Sequence, residues 1–174
     1  FLTSNPSPIV EEDGSVTMIF KGREYIGNDK YSDMALGIAK AKHIEGPYEV
    51  QNNNQPIFQV NGQGEAEDPF LWKDKEGYHI IFKDHVGKYT VESKAGAMAH
   101  SKDAIRWTVD KDAQAYSKTV EWEDGTVTTQ GQLERPFILF ENDKPAYIFF
   151  ATMDGPGGFD NATRSWNMVI PIAK

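Results

Sequence analysis

The chain has no cysteine in its 174 residues. That excludes disulfides, thiolate catalysis and cysteine-ligated zinc. It leaves the compartment open, and a secreted or periplasmic location is the expectation over a cytoplasmic one. No apolar run approaches the roughly 20 residues of a membrane-spanning helix, so no membrane partner is expected. Basic residues are outnumbered, and the net charge is −8. Nucleic acid binding needs a basic face, so nucleic acid is not an expected partner. The four histidines have no ligand spacing, and no protein-ligated metal is assigned. No long amphipathic helix is evident either. A hydrophobic content of 39% is still enough for a core in a globular chain of this length.

What is present is a repeat. Glu67-Asp68-Pro69 leads through Phe70-Leu71-Trp72, a charged turn ending in Gly77, and Tyr78-His79-Ile80-Ile81-Phe82 to Lys83-Asp84-His85. Ser4-Asn5-Pro6 opens the same plan, through Ile9-Val10 and Asp13-Gly14 to Met18-Ile19-Phe20-Lys21. Glu134-Arg135-Pro136 opens it again, through Phe137-Ile138-Leu139-Phe140 to Tyr147-Ile148-Phe149-Phe150. The three prolines are 63 and 67 residues apart. A recurring period of this kind marks a repeat architecture.

The expected elements are short antiparallel strands. The first unit has strands at Pro8–Glu11, Ser15–Lys21, Met34–Ala41 and Tyr48–Val50, with a polar loop over 23–32. Helix formers compete at 34–41, but Gly37 and the repeat favour strand. Gly46-Pro47 is a turn. Residues 51–66 read as a connecting loop. The second unit has strands at Phe70–Lys73, Tyr78–Lys83, Ala95–Ser101 and Trp107–Val109. Its Ser101-x-Asp103-x-x-x-Trp107 run reads as a capped turn with a packing Trp. Residues 110–133 read as a long linker anchored by Trp122. The third unit has the hairpin from Phe137 to Phe150, a flexible loop at 154–158 and a closing strand at Trp166–Ile172. Three units of short strands suggest an all-β chain of β-propeller blades, four strands each.

Aligned on the prolines, Ser4, Glu67 and Glu134 share one column, and Asn5, Asp68 and Arg135 the next. Neighbours on a regular strand point to opposite sides. Glu67 and Asp68 can therefore share a pocket only where the strand is irregular, and Arg135 is expected to point away from Glu134. The plain reading of such acids is loop capping and lysine pairing. Their recurrence at equivalent strand entrances favours function. Asp13, Asp29 and Asp33 read as turn acids, and Asn161-Ala162-Thr163 as an incidental sequon.

These motifs resemble the five-bladed β-propeller glycoside hydrolases, the superfamily of families 32, 43, 62, 68 and 117. Glu67-Asp68-Pro69 is similar to their middle-blade x-Asp-Pro, and Glu134-Arg135-Pro136 to their Glu-x-Pro. Ser4-Asn5-Pro6-Ser7-Pro8 with Asp13-Gly14 resembles a second blade, and Gly46-Pro47-Tyr48 a turn frequent there. The resemblance covers nearly the whole chain. It implies a single propeller domain over 1–174, about three blades, lacking its N-terminal ones. It implies a glycosidase of family 43-like type acting on a plant or algal poly- or oligosaccharide, such as an arabinofuranoside, xyloside or anhydrogalactoside.

By the resemblance, Glu134 is the general acid, and Asp68 keeps it protonated and orients the sugar. The family's catalytic base lies on a first blade, expected upstream of Phe1. Without it the stereochemical outcome is not inferable. Asn5, Lys21, Glu67, Trp72, Lys83, His85, Arg135 and Trp166 are the substrate-binding candidates. Solvated strand ends are the plain reading of Lys21 and Lys83, and a core position that of Trp166. The implied partner is a carbohydrate, with self-association or the missing blades covering exposed edges. No cofactor is implied, and a central cation such as calcium, with His85 near it, is left open. The alternative is a non-catalytic carbohydrate-binding or structural propeller segment. A sialidase would want an arginine cluster, and only Arg23, Arg106, Arg135 and Arg164 are present.

Overall fold

A computed structural model describes residues 2–57 and 65–172. Among the described residues, fifteen strands follow in chain order. The first blade contains β1 Leu2–Val10, β2 Val16–Arg23, β5 Ala35–Ala41 and β6 Glu49–Val50, with the small hairpin β3 Tyr25–Gly27 and β4 Lys30–Tyr31 between β2 and β5. The second contains β7 Ala66–Asp74, β8 Gly77–Asp84, β9 Ala95–Ser101 and β10 Thr108–Tyr116. A hairpin of β11 Thr119–Glu121 and β12 Val127–Thr129 precedes the third. The third contains β13 Gln132–Glu141, β14 Lys144–Met153 and β15 Ser165–Pro171. The main sheets are ordered β1-β2-β5-β6, β7-β8-β9-β10 and β13-β14-β15, antiparallel throughout.

The fold is all-β, made of antiparallel propeller blades. Two blades have four strands; the third has three among the described residues. Residues 35–41 form the strand β5, in which Gly37 lies under the Phe20 ring of the neighbouring strand. A Cβ there would lie 2.5 Å from that ring.

Three expectations change. The loop over 23–32 contains a hairpin whose Tyr25 and Tyr31 rings meet edge-on at 5.5 Å. The linker over 110–133 is mostly strand. β10 runs on to Tyr116 because Ala113 and Tyr116 are buried on its inner face, while its polar residues face outward. The connecting loop over 51–66 includes a short 3-10 turn at Asn52–Asn54, and its residues 58–64 lie outside the described residues.

The second blade buries both faces. Ile80 and Phe82 of β8 pack towards the first blade with Ile19, Leu36 and Ile38. Ile81, one step out of phase, packs towards the third with Leu133, Ile138 and Phe150. Full burial of such a side chain contributes about 1.5–3 kcal/mol. The turn after β9 is capped as its residues predict: Asp103 accepts from the Ile105 and Arg106 N–H groups, and Trp107 Nε1 donates to the Ala104 carbonyl.

At the end of β8, Asp84 is fully buried. Its carboxylate accepts from the backbone N–H of Gly87, Lys88, Tyr89 and Thr90 and from the Thr90 hydroxyl. It folds the loop onto the blade and is not directed at the carboxylates described below. Replacing Asp84 by Ala strands those donors, at roughly 2–3 kcal/mol. Denaturant titration should show that loss, with the 87–90 amides first to lose exchange protection. An unchanged midpoint would refute it.

Candidate active site

The three proline motifs adopt one backbone geometry. In β1, Ser4 pairs with Lys21 and Ser7 with Ile19. In β7, Glu67 pairs with Lys83 and Phe70 with Ile81. In β13, Glu134 pairs with Ala151 and Phe137 with Phe149. Each strand thus carries one extra residue, a β-bulge. Asn5, Asp68 and Arg135 hold φ of 53°, 51° and 53°. Non-glycine residues in this left-handed region cost about 1–3 kcal/mol each and persist where their surroundings hold them. Bulges break the alternation, so Glu67 and Asp68 both reach the same cluster.

The tips are joined through Asp68. Asn5 Nδ2 donates to Asp68 Oδ1 at 2.5 Å, and the Arg135 backbone N–H donates to Oδ2 at 3.0 Å. The Arg135 side chain is exposed and stays out of that contact. The tips and the prolines after them line a cavity of about 540 Å³.

Behind Asp68 stands a charged network. Lys83, 1% exposed, donates to Glu134 Oε1 at 2.5 Å and lies 3.2 Å from Glu67 Oε1. Lys21 reaches Glu67 Oε2 at 3.2 Å, and His85 Nδ1 lies 3.1 Å from Glu67 Oε1. Glu65, beside the opposite edge of His85, also meets Arg23.

Burial raises the Glu67 carboxyl, but the His85 hydrogen bond and the Lys83 and Lys21 charges outweigh it. Glu67 is held well below the usual carboxylate range. Asp68 is the opposite case. Burial, against the pull of the Arg135 N–H, and then Glu134 and Glu67 push its carboxyl up to about 6. Asp68 and Glu134 lie within hydrogen-bonding reach of each other. A second carboxylate so close favours the proton on Asp68.

The structure thus gathers Asn5, Lys21, Glu67, Asp68, Lys83, His85 and Glu134, with Arg135 joined through its backbone. Two candidates lie elsewhere. Trp72 is near the other end of β7, stacked on His79 at 5.1 Å, because the bulge leaves it beside the closing turn. Trp166 lines a separate cleft of about 660 Å³ with Trp122, Gln130 and Asp154, since β15 is the outermost strand described in its blade. Sequence reading passed over Glu65 and Tyr116. A register drawn across the second blade would have reached Tyr116. Among the described residues, no group of three His, Asp or Glu is placed to hold a metal ion.

No protein-family model matches the sequence. No curated protein matches it either. Solved structures do. A glycoside hydrolase superposes with a TM-score of 0.62 at 12% identity, over 88% of this chain and 42% of its own. A family 32 β-fructofuranosidase of Bombyx mori gives 0.60 at 14% identity, over 95% and 33%. A mutant of that enzyme in complex with sucrose gives 0.52 at 15%, over 86% and 28%. The chain spans less than half the length of these relatives. At such identities the likeness shows the fold alone: these antiparallel blades are of the β-propeller kind.

Proposed function

We propose that these blades form part of a glycoside hydrolase site in which Asp68 and Glu134 together hold the proton for the leaving oxygen. The observation that carries the reading is the shared pair: a buried carboxyl raised to about 6, in reach of a second carboxyl with a more open path to solvent. The Glu134 side chain is 15% exposed, and Asp68 as a residue 4%. Glu134 is therefore the donor to substrate, and Asp68 the reserve that returns its proton.

In the step, the Glu134 proton passes to the glycosidic oxygen as the carbon–oxygen bond breaks and the alcohol leaves. The sugar carbon is then taken by water or by a carboxylate. Asp68 and Glu134 cannot both flank that bond. Acid and partner carboxyls stand about 5–5.5 Å apart in retaining enzymes and about 6.5–9.5 Å in inverting ones. Asp68 and Glu134 stand within hydrogen-bonding reach, too close for that. Glu67 is paired with Lys21 and Lys83 and in hydrogen-bond contact with His85, and makes a poor nucleophile or base. The reading therefore requires a further carboxylate from another part of the propeller. Asn5, Lys21 and His85 serve the sugar hydroxyls. The substrate is a side chain or unit of a plant or algal poly- or oligosaccharide.

The test is hydrolysis of a glycoside panel, from arabinofuranosides and xylosides to sucrose, as a function of pH, on the protein carrying this chain. The acid must be protonated to act, so the rate should fall as pH rises through a midpoint near 6. A rate flat from pH 5 to 8 would sink the assignment. Sugar binding without turnover would favour a binding module.

A further inference from the structure

One buried polar group near the carboxylates stands outside the network. Tyr116 on β10 is 9% exposed, and its hydroxyl has no hydrogen-bond partner. Its place follows from register. Glu67 pairs with Lys83, Lys83 with Gly96, and Gly96 with Tyr116, one row across the whole second blade. Gly96 is what lets the ring reach inward. A Cβ at that position would lie 2.0 Å from Tyr116 Cε1. Phe150 of the third blade closes on the ring edge-on at 4.6 Å.

The ring is thus fixed between two blades, and its hydroxyl sits in the field of the carboxylates. Burial first, then the charges of Asp68, Glu134 and Glu67, push its ionisation well above the usual tyrosine value. The group therefore stays protonated and can offer a hydrogen. The charged and titratable groups around it are Glu67 and Asp68 on β7, Lys83 on β8 and Glu134 on β13. Lys21 on β2 and His85 act from beyond Glu67. A buried donor without an acceptor is unfavourable. When the shared proton leaves, the pair gains one more negative charge, and its pull on a hydroxyl donor strengthens.

We propose that Tyr116 is a positioning residue for the Asp68–Glu134 pair, its hydroxyl donating a hydrogen bond to the pair once the shared proton has gone. The hydroxyl keeps its own proton throughout; only its partner changes. The bond steadies the charged pair until it is reprotonated. The inference rests on the reading of Asp68 and Glu134 as the working carboxyls.

The experiment is an NMR titration of the Asp68 and Glu134 carboxyl carbons in the substrate-free protein and in Tyr116→Phe. The variant keeps the ring that packs on Gly96 and Phe150. Loss of a donor to the charged form should raise the pair's midpoint by about one pH unit. In the native protein the Tyr116 phenol carbon should shift with that same midpoint. An unchanged midpoint in Tyr116→Phe overturns the proposal. If the variant does not fold, a Tyr116 signal flat through the pair's titration overturns it instead. No substrate is involved, so the result is separate from whether the protein cleaves glycosides.

Discussion

Glu134→Gln should lower hydrolysis by roughly 10²- to 10⁴-fold, the usual contribution of a general acid. The amide keeps the shape of the carboxyl, and its oxygen still accepts from Lys83, so the blade contacts survive. What is lost is the proton. The loss should therefore depend on the leaving group. Alkyl glycosides and oligosaccharides, whose alkoxides are poor leaving groups, should show the full effect. Aryl glycosides with an acidic phenol need little protonation and should lose much less. Thermal unfolding of the variant provides the control. An equal loss on both substrate classes, or no loss, would remove Glu134 from the acid role.

Lys83→Met should cost about 3–5 kcal/mol at neutral pH, the usual result of removing one partner from a buried ion pair. Lys83 is the cation common to Glu67 and Glu134, and it is almost sealed from water. Without it, Glu67 retains Lys21 and His85, but Glu134 faces Asp68 with no other ion-pair partner among the described residues. The folded protein answers by taking up protons, so its carboxyls titrate higher than in the unfolded chain. Between those two ranges the folded state binds more protons, and its stability rises as pH falls. The deficit should therefore shrink between pH 7.5 and pH 5. Lys83→Met with Glu134→Gln should recover part of it at neutral pH. Denaturant midpoints at the two pH values measure this; a deficit independent of pH would contradict it.

Blade identity was written in pattern. Alternation through Ile80-Ile81-Phe82 and Tyr147-Ile148-Phe149, with turn residues at Asp13-Gly14, suffices for the hairpins, and β9 has the ends its residues predict. The length of one outer strand was hidden. β10 opens with Thr108, Asp110, Lys111 and Asp112, and only Ala113 and Tyr116 are buried, so its composition is that of a loop. The site was half legible. Glu67 and Asp68 stood out by position, yet their convergence depends on a bulge that alternation cannot express. The proline after each tip was its mark, since it cannot donate to a regular ladder. The protonated partner was the least readable. Burial and contact with Glu134 raise Asp68, and both are facts of packing between blades rather than of either motif.

The three bulges have a consequence for inheritance. One backbone shape carries Asn5, Asp68 and Arg135 at its tip: neutral, negative and positive. Side-chain charge at the three tips is thus not dictated by the backbone shape that presents it. A lineage can exchange letters at these tips while the strands, turns and cores stay as they are.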